Sequence, residues 1–212
     1  MAKKAHKPEL LAPAGSFESL QAAINAGADA VYFGVEQLNM RARSANTFYI
    51  SDMKEVSRIC KKNNIHSYLT VNTVIYEHDQ QLLQTILKEA KKAKIDGVIA
   101  SDFAVIELCR SLKLPIHIST QANISNFETV KFYAAFADVM VLARELTLKQ
   151  VEKIKKEIVR KKITGPSGEL VQLEIFVHGA LCMAVSGKCY LSLHTYNASA
   201  NRGACMQNCR RA

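Results

Sequence analysis

The sequence predicts an α/β fold, a TIM-like (β/α) barrel that is incomplete in this chain and ends in a cysteine-rich segment. Three observations predict it. Short apolar runs alternate with longer amphipathic runs along most of the 212 residues. Polar residues follow nearly every apolar run. The alternation stops after six full units and a seventh strand, short of the eight units that close a barrel.

The strands are expected where short, continuously apolar runs lie between turn signals. In chain order these runs are 9–15, 29–35, 65–72, 97–101, 115–120, 138–143 and 173–179. Because they are apolar throughout, they indicate strands buried on both faces, as in a parallel sheet with helical crossovers.

The helices are expected in the amphipathic runs that lie between the strands. These runs are 16–27, 51–64, 79–94, 102–112, 126–136 and 146–159. In the first of them, Ser16 is a typical N-cap residue and Gly27 a typical stop signal. The sequence therefore predicts six crossover helices.

An open, doubly wound sheet also fits this alternation, but the residues that follow the strands favour a barrel. In a barrel the strand ends converge on one face, where such folds keep their active sites, whereas in an open sheet they spread along an edge. We therefore predict a substrate-binding face formed by Arg41, Arg43, Asn72, Gln121, Asn123, Arg144 and Glu145.

The alternation is short of a complete barrel, which takes about 250 residues. The chain also ends directly after its last cysteine, with no closing helix. We expect residues 1–180 to form part of a barrel and residues 181–212 to form a cysteine-rich segment at its mouth. We also expect the chain to be a fragment of a longer protein.

The charge is strongly positive, with 28 Lys and Arg against 19 Asp and Glu and a net charge of +9. This balance favours a polyanionic partner. Near the end of the chain, Arg202, Arg210 and Arg211 occur without any acidic residue. No apolar run approaches the roughly 18 residues that cross a bilayer, and the N-terminus lacks an apolar signal-peptide stretch. We therefore expect a cytoplasmic protein that has no membrane partner and keeps its thiols reduced.

Four cysteines are clustered near the end of the chain, at Cys182, Cys189, Cys205 and Cys209. Two close pairs separated by a loop can present four thiolates to a metal. The spacing suits either a [4Fe–4S] cluster or zinc, and it does not separate the two. The other two cysteines, Cys60 and Cys109, lie alone among apolar helix neighbours, so we expect them to be core residues.

A nucleophilic cysteine is the competing interpretation of the same segment. His178 precedes Cys182 by four residues, so the two side chains would meet in a helical turn. His194 is a second candidate base. Nothing singles out one cysteine of the four, and the sequence has neither an HExxH motif nor a recognisable triad.

The segment EIFVHGALCMAVSGKCYLS, 174–192, closely resembles the signature of the U32 peptidase family. Further segments resemble the family in order along the chain, at 9–34, 41–48, 71–73, 117–126, 142–148 and 201–210. The combination of STQAN, LAREL and NRGACMQNCR is most similar to the branch that hydroxylates tRNA.

The resemblance implies an enzyme of oxygen-independent RNA hydroxylation, with C5 of the tRNA wobble uridine as the target and prephenate as a co-substrate. It implies a [4Fe–4S] cluster on the four terminal cysteines, with zinc as the alternative, and catalytic roles for His178 and Glu174. The three terminal arginines would contact RNA, and a paralogous protein is a possible partner. The alternatives are a collagenase-like U32 peptidase and a zinc-stabilised RNA-binding module without catalysis.

Overall fold

A computed structural model describes residues 7–40, 42, 47–179 and 181–210. Within these residues a parallel sheet is formed by strands in the order β1 to β7. The strands are β1 (Leu11–Pro13), β2 (Ala30–Phe33), β3 (His66–Val71), β4 (Gly97–Ala100), β5 (Ile116–Ile118), β6 (Val139–Val141) and β7 (Gln172–Glu174). The sheet curls into a partial barrel, so the predicted parallel α/β fold is confirmed.

The helices cross from one strand to the next on the outer side of the sheet, as expected for βαβ units. They are α1 (Phe17–Asn25), α2 (Met53–Lys62), α3 (Gln80–Ala93), α4 (Phe103–Leu112), α5 (Phe127–Tyr133) and α6 (Leu148–Lys161), followed by the short α7 (Leu191–Tyr196). Ser16 caps α1 through a capping box, and Gly27 follows the helix with φ +81°. Both predicted helix signals are confirmed.

The side chains of the strands alternate between the two faces of the sheet. Val31, Leu69 and Ile118 are buried between the sheet and the helices, in the main core. Ala30 and Tyr68 face the opposite way and pack together on the concave, inner face. The continuously apolar runs are explained by this burial on both faces.

The seventh strand is shorter than the sequence predicts. It was expected over residues 173–179, but it ends at Glu174, whose carbonyl accepts a hydrogen bond from the Leu142 N–H at 2.9 Å. Strand β6 ends at Val141, so the residues after Glu174 have no neighbouring strand with which to pair.

None of the helices in the described part of the chain is long and apolar enough to cross a membrane.

Candidate functional site at the carboxyl ends of the strands

A small open cavity of ≈ 130 Å³ lies where β3, β4 and β5 end. Its polar lining residues are Asn72, Ser101, Asp102, Gln121 and Asn201, and Val74 and Gly187 complete it. Asn72 and Gln121 were predicted as substrate-binding residues from their positions after the strands. The structure brings them together on one face, while their role stays a prediction.

Hydrogen bonds fix the walls of the cavity. The Asn72 amide donates to the Ser119 hydroxyl at 3.2 Å, and the Ser101 hydroxyl donates to the Asn72 carbonyl at 3.0 Å. The Asp102 carboxylate accepts from the backbone N–H of Ala104 at 2.9 Å and of Ile75 at 3.0 Å. Asp102 thus caps α4 and also holds the loop that follows β3.

The cysteine-rich end of the chain packs across these strand ends. The Asn201 carbonyl accepts from the Val74 N–H at 3.1 Å. Gly187 has φ +73°, and a Cβ there would lie 2.4 Å from the Gln121 carbonyl oxygen. A glycine is therefore required at this contact, both for its backbone conformation and for the close approach.

An ion pair between Arg202 and Asp79 joins this segment to the loop after β3. Arg202 also donates to the Val74 carbonyl at 2.8 Å, and its guanidinium lies 4.4 Å from the centre of the Tyr76 ring. The hydrogen bond from Arg202 holds the pKa of the Asp79 carboxyl below its usual value. Sequence reasoning missed Asp79 because it lies in a 3₁₀ turn, far from Arg202 along the chain.

Arg144 follows β6 and points toward the same segment. Its guanidinium donates to the Ser186 hydroxyl at 2.6 Å and lies 5.9 Å from the centre of the Phe176 ring. The Nε atom of Arg144 is buried and has no hydrogen-bond partner among the described residues. Glu145 is exposed and forms no ion pair with Arg144 in that part of the chain, and the Nη1 atom of Arg144 has no hydrogen bond to a described residue, so this atom remains a donor for a bound group.

The other predicted binding residues are dispersed. Asn123 ends a 3₁₀ turn after β5 in the left-handed conformation, with φ 52°. Arg210 is exposed and donates to the Gln207 side chain at 3.4 Å. The predictions for Arg41, Arg43 and Arg211 lie outside the described residues.

The four terminal cysteines do not assemble a metal site in this structure. Cys182, Cys205 and Cys209 are exposed and Cys189 is half-buried. In the described ranges, no group of three or more His, Cys, Asp or Glu side chains is placed to hold a metal ion. As placed, these thiols therefore do not fit a four-ligand cluster, and the cluster stays a prediction.

The other two cysteines are confirmed as core residues. Cys60 lies in α2 and Cys109 in α4, and both are fully buried. Burial raises the pKa of Cys60 to about 11 and that of Cys109 to about 12, because a thiolate is poorly solvated there. Neither thiol is suited to nucleophilic chemistry.

The predicted catalytic residue His178 lies in the segment between β7 and α7, as does Cys182. The described residues between β7 and α7 form no helix, so the helical turn that would bring His178 to Cys182 is not found among them, and the catalytic roles of His178 and Glu174 stay predictions. His178 is exposed, and neither its ring nor that of His194 hydrogen-bonds to another described side chain. The structure therefore shows no cysteine–histidine pair in the residues that it describes.

Glu174 belongs to a polar layer on the concave face that sequence reasoning largely missed. The Tyr68 hydroxyl donates to the Glu9 carboxylate at 3.1 Å, and the Tyr68 and His117 ring centres are 4.3 Å apart. Burial, with a smaller contribution from the Glu9 charge, raises the pKa of Glu174 to about 7. Burial lowers the pKa of His117 to about 4. The alternation of inward positions along β3, β5 and β7 was the available signal.

Sequence comparison with known proteins identifies a family. The sequence model of peptidase family U32 matches residues 15–212. A collagenase of Porphyromonas gingivalis is 58% identical over 96% of the chain, which is 49% of its own length. The tRNA hydroxylation protein P1 of Bacillus subtilis is 36% identical over 96% of the chain and 46% of its own length. The chain thus spans about half the length of these relatives.

Among solved structures, the U32 peptidase Mk0906 matches with a TM-score of 0.57 and 16% identity. The match covers 74% of this chain and 67% of that one. At this identity the likeness concerns the fold alone. It agrees with a parallel α/β sheet that curls into part of a barrel.

Proposed function

The chain belongs to peptidase family U32, and from this membership we propose that the protein takes part in the modification of tRNA. The observation that carries the proposal is the cavity at the strand ends, whose lining includes the amides of Asn72, Gln121 and Asn201 and the hydroxyl of Ser101. Such groups recognise the edge of a nucleobase. The relative named as a tRNA hydroxylation protein aligns with nearly the whole chain.

In finer detail, the proposed reaction is oxygen-independent hydroxylation at C5 of the wobble uridine, with prephenate as co-substrate. A wobble base lies in a single-stranded loop, so little stacking energy opposes its entry into a pocket. Arg144, whose Nη1 atom has no hydrogen bond to a described residue, is suited to one carboxylate of the co-substrate, because guanidinium groups donate charge-assisted hydrogen bonds to carboxylates.

The net charge of +9 supports an RNA partner. Arg202 pairs with Asp79, so its predicted phosphate contact would use donors that the ion pair leaves free. The four terminal cysteines remain the proposed ligands of a [4Fe–4S] cluster. Because they do not come together as placed here, no step of the reaction is derived through that group.

A collagenase-like peptidase is the second candidate, favoured by the relative that is 58% identical and carries that name. Peptide hydrolysis needs an activated nucleophile or a metal-bound water. In the described part of the chain, neither His178 nor His194 is hydrogen-bonded to a hydroxyl or thiol. The geometry therefore supports the tRNA proposal better.

The test is nucleoside analysis of tRNA from cells that lack the gene for the full-length protein. We expect 5-hydroxyuridine and its derivatives to disappear from digested tRNA and to return when the full-length gene is restored. Unchanged nucleosides, together with cleavage of gelatin by the purified protein, would reject the proposal and support the peptidase.

A further inference from the structure

The cavity at the strand ends contains two amide groups with unused hydrogen-bonding capacity. The side-chain amide of Gln121 has no hydrogen bond to any other described residue. The Oδ1 atom of Asn201 accepts from the Cys189 N–H at 3.3 Å, which fixes the orientation of this amide. The Asn201 NH₂ group is therefore a donor with no partner in the described residues.

The size of the cavity limits what it can hold. Its volume of ≈ 130 Å³ exceeds the share of a single water, about 30 Å³. It is well below the roughly 300 Å³ at which drug-sized pockets begin. One small planar ring fits these limits.

The charge of the lining excludes dianionic ligands from the cavity. Asp102 places a carboxylate at the wall, and none of the lining residues that the structure describes is cationic. A di-anionic ligand such as a dicarboxylate would be repelled there and would be left without a counter-charge. The cavity is therefore suited to a neutral, polar ring.

We propose that this cavity is the pocket for a uracil base, read by Gln121 and Asn201. The inference rests on the proposed function and assigns the base-reading role to these two side chains. The Gln121 amide accepts from N3–H of the base and donates to one carbonyl, while the Asn201 NH₂ donates to O4. Cytosine presents an amino group at that position, so the fixed Asn201 donor would meet another donor.

The position of Asn201 makes it suited to discrimination. Its backbone is held by the hydrogen bond from Val74, and the next residue, Arg202, is held by Asp79. A rigid donor cannot turn to accept from the wrong base. Gln121 contributes in the same direction, because its carbonyl accepts from the N3–H of uracil, whereas N3 of cytosine is itself an acceptor.

The test is fluorescence anisotropy of the full-length protein with two anticodon stem–loops that differ only in uridine or cytidine at the wobble position. The salt concentration is held constant because phosphate contacts dominate affinity. We expect the wild-type protein to prefer the uridine loop by about tenfold. Asn201→Asp keeps the acceptor for Cys189 but replaces the donor, so this preference should be lost.

A negative charge introduced at the site lowers the affinity for both loops, so the ratio of the two affinities is the deciding quantity. Asn25→Asp on the exposed side of α1 is the matched control and should keep the wild-type ratio. Gln121→Glu removes one donor from a side chain that makes no described hydrogen bond, so it should reduce the ratio without unfolding the protein.

The outcomes separate the inference from the proposed function. A wild-type ratio near one, or an unchanged ratio in Asn201→Asp and Gln121→Glu, overturns the uracil pocket even if the gene deletion removes the tRNA modification. Unchanged tRNA nucleosides in the deletion strain reject the proposed function, whatever the ratio.

Discussion

Arg202 and Asp79 form a largely buried ion pair that ties the cysteine-rich end of the chain to the loop after β3. The Asp79 side chain is 7% exposed and the Arg202 side chain 22%. The pair adjoins the cavity, because Arg202 follows the lining residue Asn201 and donates to the carbonyl of the lining residue Val74. A contact between residues so far apart in sequence thus sets the geometry of the candidate site.

Replacing Asp79 with Asn tests how much this pair contributes. Asn keeps the shape and an acceptor for the Tyr76 N–H but leaves the Arg202 charge without its partner. Because Arg202 is partly exposed and keeps the Val74 carbonyl and the Tyr76 ring as neighbours, we expect the free energy of unfolding to fall by about 2 kcal/mol, between the values for exposed and for fully buried pairs. Urea unfolding of the full-length protein measures this change in the free energy of unfolding.

The control for this substitution is Glu107→Gln, which breaks the exposed pair between Glu107 and Arg110. An exposed pair contributes at most about 1 kcal/mol, so this variant should stay close to wild type. Equal stability of the two variants would show that the Arg202–Asp79 pair does not hold the segment.

Glu174 predicts a pH dependence of stability. Its pKa is raised from 4.5 to about 7, so the folded protein holds a proton that the unfolded chain releases above about pH 4.5. Stability from this group is therefore present below pH 4.5 and is lost as the pH rises to about 7. We expect the free energy of unfolding to decline by about 3 kcal/mol over this range, because one pKa unit corresponds to about 1.4 kcal/mol.

Glu174→Gln should flatten this decline, because the amide does not titrate. Glu169→Gln, on an exposed loop, should leave it in place. Urea unfolding at closely spaced pH values provides the comparison. The same decline in wild type and Glu174→Gln would assign the pH dependence to other groups.

The α/β architecture and the location of Asn72 and Gln121 on one side of the sheet were predictable, because the patterns that indicate them depend on neighbours in sequence. Ser16 caps α1 since its hydroxyl reaches an N–H three residues later. Asn72 and Gln121 meet because the carboxyl ends of parallel strands share one side. Such features need no knowledge of distant partners.

The contacts of the terminal segment were not predictable in this way. Arg202 and Asp79 are 123 residues apart, and either residue alone is an ordinary surface charge. The early end of β7 also depends on tertiary structure, since an apolar run stays a strand only where a neighbour can pair with it. The cysteine spacing indicated metal ligands, but the described residues leave those side chains apart.

Gly187→Ala tests the close contact between the terminal segment and Gln121. The added Cβ would lie 2.4 Å from the Gln121 carbonyl, and the residue has φ +73°. Gly168→Ala is a matched control, since Gly168 has φ +83° and nothing lies within 4 Å of its Cβ. We expect the free energy of unfolding to fall by about 1 kcal/mol in both variants, because alanine is strained at a positive φ.

In Gly187→Ala the free energy of unfolding should fall by about 1 kcal/mol more than in Gly168→Ala, because the added Cβ overpacks against the main chain. Limited proteolysis of the full-length protein should then cut its terminal segment faster than in Gly168→Ala. Identical cutting rates would show that the segment does not rest on Gln121.

The cysteines differ in exposure, so a thiol reagent should separate them. In metal-free, full-length protein, Cys182, Cys205 and Cys209 are exposed and should react within minutes. Cys60 and Cys109 are buried, with raised pKa values, and should react only after unfolding. Mass spectrometry of labelled peptides identifies the reacting residues.

Protein purified without oxygen decides whether these exposed thiols bind a cluster. If they do, the terminal cysteines are protected from the reagent, iron and inorganic sulfide are present in equal amounts, and Cys182→Ala or Cys205→Ala removes both. Cys60→Ala should keep the iron, because that residue lies in the core. Zinc in a colourless protein would instead indicate a structural site, since zinc has no redox chemistry. Full labelling of the terminal cysteines in protein that contains no metal would reject both the cluster and the zinc site. Thiolates that coordinate a metal are not free to attack the reagent.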